Sequence, residues 1–367
     1  MFSALDYQFM ARALQLAKKP LQAPHPNPRV GSVIVKDQQI VGEGFHPKAG
    51  LPHAEVYALQ QAGDRAKGST VYVTLEPCSH TGKTPPCANA LIQAGVQRVV
   101  LAMQDPNPKV AGSGITLLQQ AGIQVEVGLL ETQAHDLNKG FIKRMQSGLP
   151  WVRCKMAMSV DGRTAMANEE SQWITGPQAR KNVQQWRANA DAILSGSGTV
   201  AADNPKLTVR DLDVEELRQP LRVIVDSQLQ TSMEAQLFSE PGKVLLACVD
   251  DARASFYAGK AEIAKLTASQ GGRVDLSALL YLLGNREINE VHTEAGAQLN
   301  GALLEASLVD ELVIFVAPIL MGHKARPLFH LENIHSMMDR YPLECTDIRH
   351  IGNDIRFIYQ RKPCLPE

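Results

Sequence analysis

From Val30 to Phe45, two runs rich in β-branched residues, Val30 to Lys36 and Ile40 to Phe45, flank the polar triplet Asp37-Gln38-Gln39. That pattern predicts a hairpin. Upstream, Met1 to Lys19 reads as an amphipathic helix carrying Asp6 and Arg12 among its apolar positions. Downstream, apolar residues recur at helical spacing from Ala54 to Ala62, and Val71 to Leu75 is a short strand closing on Glu76-Pro77. Helix and strand then alternate: helix Cys87 to Ala94, strand Val96 to Met103, helix Gly114 to Ala121, strand Ile123 to Val127, and one long helix from Glu131 to Met145. Such alternation predicts a layered α/β domain with helices packed on a sheet.

The periodicity stops at Ser147-Gly148-Leu149-Pro150, and a new strand, Trp151 to Met158, begins beyond it. Two domains are therefore expected, residues 1–147 and 151–367. The second repeats the α/β style, with helices Gln178 to Ala188, Leu276 to Leu283 and Ala297 to Ala306. Its strands are Asp191 to Ser195, Leu221 to Val225, Val244 to Cys248, Glu290 to Thr293, Glu311 to Ala317 and Asp354 to Gln360. The charged stretch Asp211 to Gln219 reads as a solvated loop or helix.

Composition narrows the function classes. The 367 residues suit two domains at about 150 residues each. With 37 Lys+Arg against 38 Asp+Glu, the formal charge of −1 lacks the basic excess of a protein that grips a nucleic-acid backbone. The best apolar run, Leu312 to Met321, contains Pro318 and falls well short of the ~18 residues of a membrane span. No small-residue cleavage site follows the first helix, so the expected location is the cytoplasm. Six cysteines in such a chain are too sparse for a disulfide scaffold. Cys78 and Cys87, the close pair, are better read as metal ligands or nucleophiles.

Three features of the first domain carry chemistry: His53-Ala54-Glu55 at a helix start, Pro77-Cys78 at a strand end, and Pro86-Cys87 opening another helix. Singly, each cysteine reads equally well as a small buried hydrophobe. Jointly, one imidazole and two thiolates suit Zn²⁺ with a fourth position open for water, the layout of a catalytic site. The metal lowers the pKa of that water, and Glu55, two residues from the histidine, can move its proton without being a ligand.

These residues resemble the HxE…PCxxC signature of the zinc nucleobase deaminases, which remove an exocyclic amine by hydrolysis. Eight residues, Ser79 to Pro86, separate the cysteines here where the general signature has two, which leaves His80 as a competitor of Cys87 for the metal. The string from Glu76 to Cys87, EPCSHTGKTPPC, is similar to the longer loop of the riboflavin-biosynthesis pyrimidine deaminases, a resemblance that implies Cys87 as the ligand. HPNPRVG from His25 to Gly31 and GEGFH from Gly42 to His46 match the same branch. The resemblance implies that Asn27 and His46 line the pyrimidine pocket while His80 and Lys83 reach the substrate, Lys83 as a point charge for its phosphate.

The second domain has no metal-ligand cluster. Gly196 to Ala201, GSGTVA, satisfies a dinucleotide fingerprint after a strand, but Asp203-Asn204-Pro205 would interrupt the helix a Rossmann unit needs. Instead KMAMSVDGR (Lys155 to Arg163), SQWIT (Ser171 to Thr175), GTVAADNP (Gly198 to Pro205), LTVR (Leu207 to Arg210) and EAGA (Glu294 to Ala297) look like the reductase half of the bifunctional riboflavin-biosynthesis proteins. The resemblance spans roughly Tyr7 to Gln360, and both halves occur in one order. It implies a cytidine-deaminase-like domain followed by a dihydrofolate-reductase-like one that binds NADPH.

Position by position, the same resemblance implies that Ala157, Trp173, Thr199, Asp203, Ser227 and the run Gly296, Ala297, Gln298, Leu299, Asn300, Gly301 and Ala302 contact NADPH. Ser171, Arg187, Leu207, Arg210 and Glu294 would hold the substrate, with Arg187 and Arg210 suited to a phosphate. Lys155, Asp203 and Glu294 are the candidate proton donors of the reduction. The expected protein is a bifunctional enzyme that deaminates a diaminopyrimidinone ribosylamine 5′-phosphate and then reduces its ribosyl group with NADPH. Its partners would be phosphorylated pyrimidines, without nucleic acid or membrane, and from the family a dimer through the reductase domain. The competing reading is a zinc deaminase acting on nucleic acid, of the tRNA type, with an unrelated second domain.

Overall fold

The computed structural model describes residues 1–20, 22–79, 86–108, 110–212 and 217–361. The chain divides into two compact units, Met1–Gly148 and Leu149–Glu367.

In the first unit, helix α1 (Ala4–Ala17) precedes the hairpin β1 (Gly31–Lys36) and β2 (Gln39–Phe45), followed by α2 (Ala54–Ala62) and β3 (Thr70–Val73). Then come α3 (Cys87–Gln93), β4 (Arg98–Leu101), α4 (Ser113–Gln120), β5 (Gln124–Val127), α5 (Glu131–Leu137) and α6 (Lys139–Ser147). The sheet order is β2-β1-β3-β4-β5; β1 is antiparallel to both neighbours, and β3, β4 and β5 are parallel.

Period-two alternation sorts the strand residues between two cores. Val33, Val35, Tyr72 and Val100 join Phe9, Met10, Leu14 and Ile142 on one face, whereas Ile34, Val71, Val73, Val99 and Leu101 meet Ala58, Ala62, Leu91 and Leu118 on the other. The sheet is thus covered on both sides. Gly42 and Gly44 let α2 lie directly on β2, since a Cβ on either would come within 2.1 Å of the carbonyl oxygens of Ala58 and Ala54.

The single helix expected from Glu131 to Met145 is two helices, and Asn138 is the reason. Its backbone leaves the helical region at φ −126°, while its side chain accepts from the amide of Arg29 at 2.8 Å and donates to the Arg29 carbonyl at 3.0 Å. A side-chain amide that pairs with a distant backbone competes with the helix's own ladder.

The second unit holds β6 (Trp151–Ser159), β7 (Arg163–Ala165), α7 (Pro177–Asn189), β8 (Ala192–Gly196), α8 (Ser197–Asp203), β9 (Leu221–Val225), β10 (Val244–Cys248) and β11 (Glu262–Lys265). It continues through α9 (Leu276–Asn285), β12 (Glu290–Thr293), α10 (Ala297–Glu305), β13 (Glu311–Ala317), β14 (Arg326–Pro327), β15 (Leu343–Ile351) and β16 (Asp354–Arg361). Nine strands form one sheet in the order β11-β10-β9-β8-β12-β6-β13-β16-β15. It is parallel from β11 to β13 and antiparallel in the pairs β13 with β16 and β16 with β15.

The two faces again alternate. Val223, Leu245, Leu312 and Ile314 meet Leu279, Leu283 and Leu303, while Ile193, Ile224 and Leu246 pack with Leu229, Leu237 and Tyr257, and Val313 and Phe315 with Ala179 and Val183. Several elements depart from expectation, among them the short strands β7, β11 and β14, which the pattern did not give. A two-turn helix, α8, follows the GSG run and ends where Asn204 turns left-handed at φ 43°, so the interruption falls where Asp203-Asn204-Pro205 foretold it. Edge strand β15, which is largely exposed and lacks an apolar stripe, gave no periodic signal. Among the described residues no helix is long and apolar enough to cross a membrane.

Candidate active sites

In the first unit, three side chains converge where α2, α3 and the end of β3 meet. His53 is the residue that starts α2, Cys87 is the first residue of α3, and Cys78 follows β3 by way of Glu76-Pro77. His53 Nδ1 lies 3.6 Å from Cys78 Sγ and 3.3 Å from Cys87 Sγ, and the three ligand atoms are all within 4.8 Å of one another. Bonds of about 2.0 Å to nitrogen and 2.3 Å to sulfur at tetrahedral angles separate such atoms by about 3.5 Å. One imidazole and two sulfurs at this spacing fit Zn²⁺. Among the described residues this is the one cluster of its kind.

The start of α3 serves the site as well as supplying a ligand. The Cys87 amide donates to Cys78 Sγ at 3.3 Å and the Ala88 amide to the Cys78 carbonyl at 3.2 Å, so unpaired amides of a helix end favour a thiolate there. The contact with Cys87, aided by His53 and opposed by burial, lowers the Cys78 thiol, and the Cys87 thiol, facing that charge, is pushed up.

Glu55, in the first turn of α2, is 3 % exposed. Burial raises its carboxyl to about 7 against the pull of His53. Beside it, His46 is buried and its ring meets His53 edge to face at 5.2 Å. His46 Nδ1 donates to the Pro52 carbonyl at 3.1 Å, which leaves Nε2 to accept from Asn27 Nδ2 at 3.0 Å. Desolvation lowers the His46 pKa and keeps the ring neutral in this role. Asn27, His46, His53, Glu55, Cys78 and Cys87 thus gather at one place. His80 and Lys83 lie outside the described residues.

In the second unit, a cleft of about 1890 Å³ opens at the C-terminal ends of the parallel strands, where open α/β sheets bind ligands. Its centre is the crevice between β8 and β12, whose connections leave in opposite directions. Helices α8 and α10 both start there behind glycines, Gly196 and Gly296, with no side-chain cap, and the Gly296 amide donates to Thr199 Oγ1 at 3.1 Å. A Cβ on Gly198 would meet nothing within 4 Å and one on Gly296 only Thr199 Oγ1 at 3.8 Å, so the wall is open to a ligand's approach. Uncapped amides on an open glycine wall fit the phosphates of a dinucleotide.

Ala157, Trp173, Thr199, Asp203, Ser227, Gly296, Ala297, Gln298, Leu299 and Ala302 line this cleft, as do Ser171, Arg187, Leu207, Arg210 and Glu294. Asn300 and Gly301 do not, because the helical period turns them inward. Asn300 is fully buried, accepting from Thr293 Oγ1 at 2.8 Å and donating to the Ala295 carbonyl at 2.8 Å, and Gly301 admits the backbone of His330, whose carbonyl oxygen a Cβ would meet at 2.0 Å.

Arg187 grips Glu294 with both arms, at 2.5 and 2.8 Å, and donates a third bond to the Thr208 carbonyl, which leaves two of its five N–H donors for a ligand. Burial opposes the charge on Glu294, yet Arg187 holds its carboxyl well below the usual range. Lys155 faces the same pair, and desolvation lowers its pKa while Glu294 resists. Arg180, which the sequence did not single out, also lines the cleft, stacked on Trp173 at 4.6 Å from the ring centroid.

Residues 3–103 match the family model of the cytidine and deoxycytidylate deaminase zinc-binding region, and residues 150–357 match that of the RibD C-terminal domain. The riboflavin biosynthesis protein RibD of Escherichia coli is 49 % identical over 360 residues, covering 95 % of this chain and 98 % of its own. This chain belongs to the RibD family. The RibD of Haemophilus influenzae is also 49 % identical, over 98 % of this chain and 99 % of its own. Among solved structures, Acinetobacter baumannii RibD superposes with a TM-score of 0.91 at 44 % identity over 98 % of this chain and 99 % of that one. A Thermotoga maritima diaminohydroxyphosphoribosylaminopyrimidine deaminase/5-amino-6-(5-phosphoribosylamino)uracil reductase reaches 0.87 at 33 % identity, covering 98 % and 99 %.

Like other RibD proteins, the chain is a bifunctional deaminase and reductase of riboflavin biosynthesis, with a deaminase-like fold in its first half and a reductase fold in its second. Its cofactors are zinc and NADPH. The match of residues 150–357 removes the competing reading, in which the second domain was unrelated to riboflavin synthesis.

Proposed function

We propose that residues 1–147 hydrolyse the 2-amino group of a diaminopyrimidinone ribosylamine 5′-phosphate and that residues 151–367 reduce the ribosyl group of the product to ribityl. The observation that carries the first step is the convergence of His53, Cys78 and Cys87 around one point with Glu55 buried beside them. Those three hold the zinc, which supplies a Lewis acid that brings an attacking water's pKa toward neutrality. Glu55 takes the proton from that water and delivers it to the ring nitrogen and the leaving amine, a task suited to a carboxyl whose pKa lies near the working pH. Asn27, oriented by His46, keeps its Oδ1 for the pyrimidine, and the family resemblance assigns His80 and Lys83 to the substrate as well.

In the reductase half, Ala157, Trp173, Thr199, Asp203, Ser227, Gly296 to Leu299 and Ala302 hold the cofactor, and Asn300 and Gly301 shape the helix behind them. NADPH supplies the hydride. Ser171, Leu207, Arg210 and Glu294 bind the sugar phosphate, Arg187 fixing Glu294 while offering its remaining donors. Lys155, a partly buried ammonium beside Glu294, is well placed to hold a proton near the reacting carbon.

The enzyme acts in the cytoplasm as a homodimer through the reductase domain. The support is the exposed edge strand β15, which presents Leu343 and Ile348, and the unbridged thiols Cys78, Cys87, Cys154, Cys248 and Cys345. Incubation of the zinc-loaded protein with the diaminopyrimidinone phosphate, following ammonia and NADPH separately, tests the whole reading. Ammonia should appear without NADPH, and NADPH should be consumed only once deaminated product is present. Consumption of NADPH without ammonia release would overturn that order.

A further inference from the structure

The cations of the C-terminal cleft differ in what they already hold. Arg187 is committed to Glu294, Lys206 to Glu240 at 2.6 Å, and Arg326 to Glu169 at 3.1 Å. Arg180 donates to the Thr175 carbonyl at 2.7 Å, Lys155 faces Glu294, and Arg210 lies 3.7 Å from Asp211. Arg273 lines the same cleft and makes no ion pair with any described residue.

Its position is as informative as its freedom. Arg273 ends a tight turn in which the Gly272 amide donates to the Ser269 carbonyl at 2.9 Å and the Ser269 amide to the Arg273 carbonyl at 2.7 Å. The turn is tied to the C-terminal end of β9, because the Val274 amide donates to Ser227 Oγ at 3.1 Å. The carboxylates at that end are spent on backbone: Asp226 accepts from the amides of Gln230 and Thr231, and Asp275 from those of Ser277 and Ala278.

In the strand order β9-β8-β12-β6, a dinucleotide with its reactive ring toward Lys155 of β6 and Glu294 after β12 and its pyrophosphate at the uncapped start of α10 would run its adenosine half toward the end of β9, where Ser227 also lines the cleft. NADPH differs from NADH there by one phosphate on the adenosine ribose. A buried neutral surface would reject that dianion, and a free guanidinium can bind it with two hydrogen bonds.

We propose that Arg273, presented by the Ser269–Arg273 turn, binds the ribose phosphate of NADPH and sets the preference for NADPH over NADH. The inference rests on the reading of this cleft as the NADPH site. Because Arg273 is exposed, its replacement should leave the fold intact.

The test is fluorescence titration of the full-length protein and its Arg273→Ala and Arg273→Lys variants with NADPH and with NADH. Loss of one charge-assisted phosphate contact should weaken NADPH binding by about tenfold or more in Arg273→Ala, leave NADH unchanged, and be partly restored in Arg273→Lys. Added salt should weaken NADPH binding less in the alanine variant than in the parent. An unchanged NADPH-to-NADH ratio in Arg273→Ala, or equal weakening of both, would overturn the assignment to Arg273 while leaving the cleft as the cofactor site. Failure of the parent protein to bind NADPH would overturn the cofactor reading of the cleft itself, and the proposal with it.

Discussion

The amide of Gly114 donates to Oε1 of Glu76 at 2.9 Å, and the same carboxylate accepts the amides of Ile115 at 3.2 Å, Gly112 at 3.0 Å and Asp105 at 3.1 Å. A single buried side chain two residues before Cys78 thereby ties the start of α4 and the segment after β4 to the end of β3. Glutamine would present an NH₂ group to two of these donors. Glu76→Gln should therefore lower the stability of the N-terminal unit by about 2–3 kcal/mol, read as a reduced urea midpoint. Gly114→Ala should act in the same direction, since its Cβ would come within 2.1 Å of the Pro77 carbonyl oxygen. Unchanged midpoints in both variants would contradict this account of the junction.

Cys87→Ser and His53→Ala should each lose bound zinc under chelator dialysis, because removing one of three protein donors leaves two. If Cys87→Ser keeps its zinc and His80→Ala loses it, the second cysteine is not a ligand.

Glu55→Gln should keep zinc yet lose ammonia release by about 10²–10⁴-fold, the usual worth of general acid–base assistance. Supplied with pre-deaminated substrate, the variant should still oxidise NADPH. Near-normal deamination would remove Glu55 from the proton path.

Asp6 gives the N-terminal unit an acid-sensitive support. Desolvation opposes its charge, but Arg98, Tyr72 and Ser3 hydrogen-bond the carboxylate and hold its pKa well below the usual range. A depressed folded-state pKa adds stability that is complete above the unfolded value of about 3.9 and drains away as pH falls below it. Asp6→Asn should lose about 1.5–3 kcal/mol at neutral pH and show a flatter decline between about pH 5 and 2. Parallel melting-temperature profiles for the two proteins would refute it.

Arg187→Lys keeps the charge beside Glu294 but not the two-armed grip. We expect the reduction step to fall by about tenfold or more while ammonia release is kept, since the deaminase residues belong to the other compact unit. Equal loss of both activities would show that Arg187 acts on the stability of the whole chain.

The amino-acid sequence by itself determined most of the order of helices and strands and the break near Gly148, and it singled out His53, Cys78, Cys87 and Glu55 as a candidate site. These are local properties: period-two alternation sorts Val33 from Ile34, and HAE, PC and PC are each contiguous. Tertiary structure decided whatever depends on partners distant in the chain. Asn138 splits a helix because it reaches Arg29, and Glu76 organises the amides of a segment some thirty residues on, neither of which leaves a periodic trace. The same reason explains why the contiguous run from Gly296 to Ala302 does not line the cleft throughout. Once coiled, it turns Asn300 and Gly301 into the core, and Arg273, in a stretch with no motif, reaches the cleft only because Ser227 anchors its turn to the end of β9.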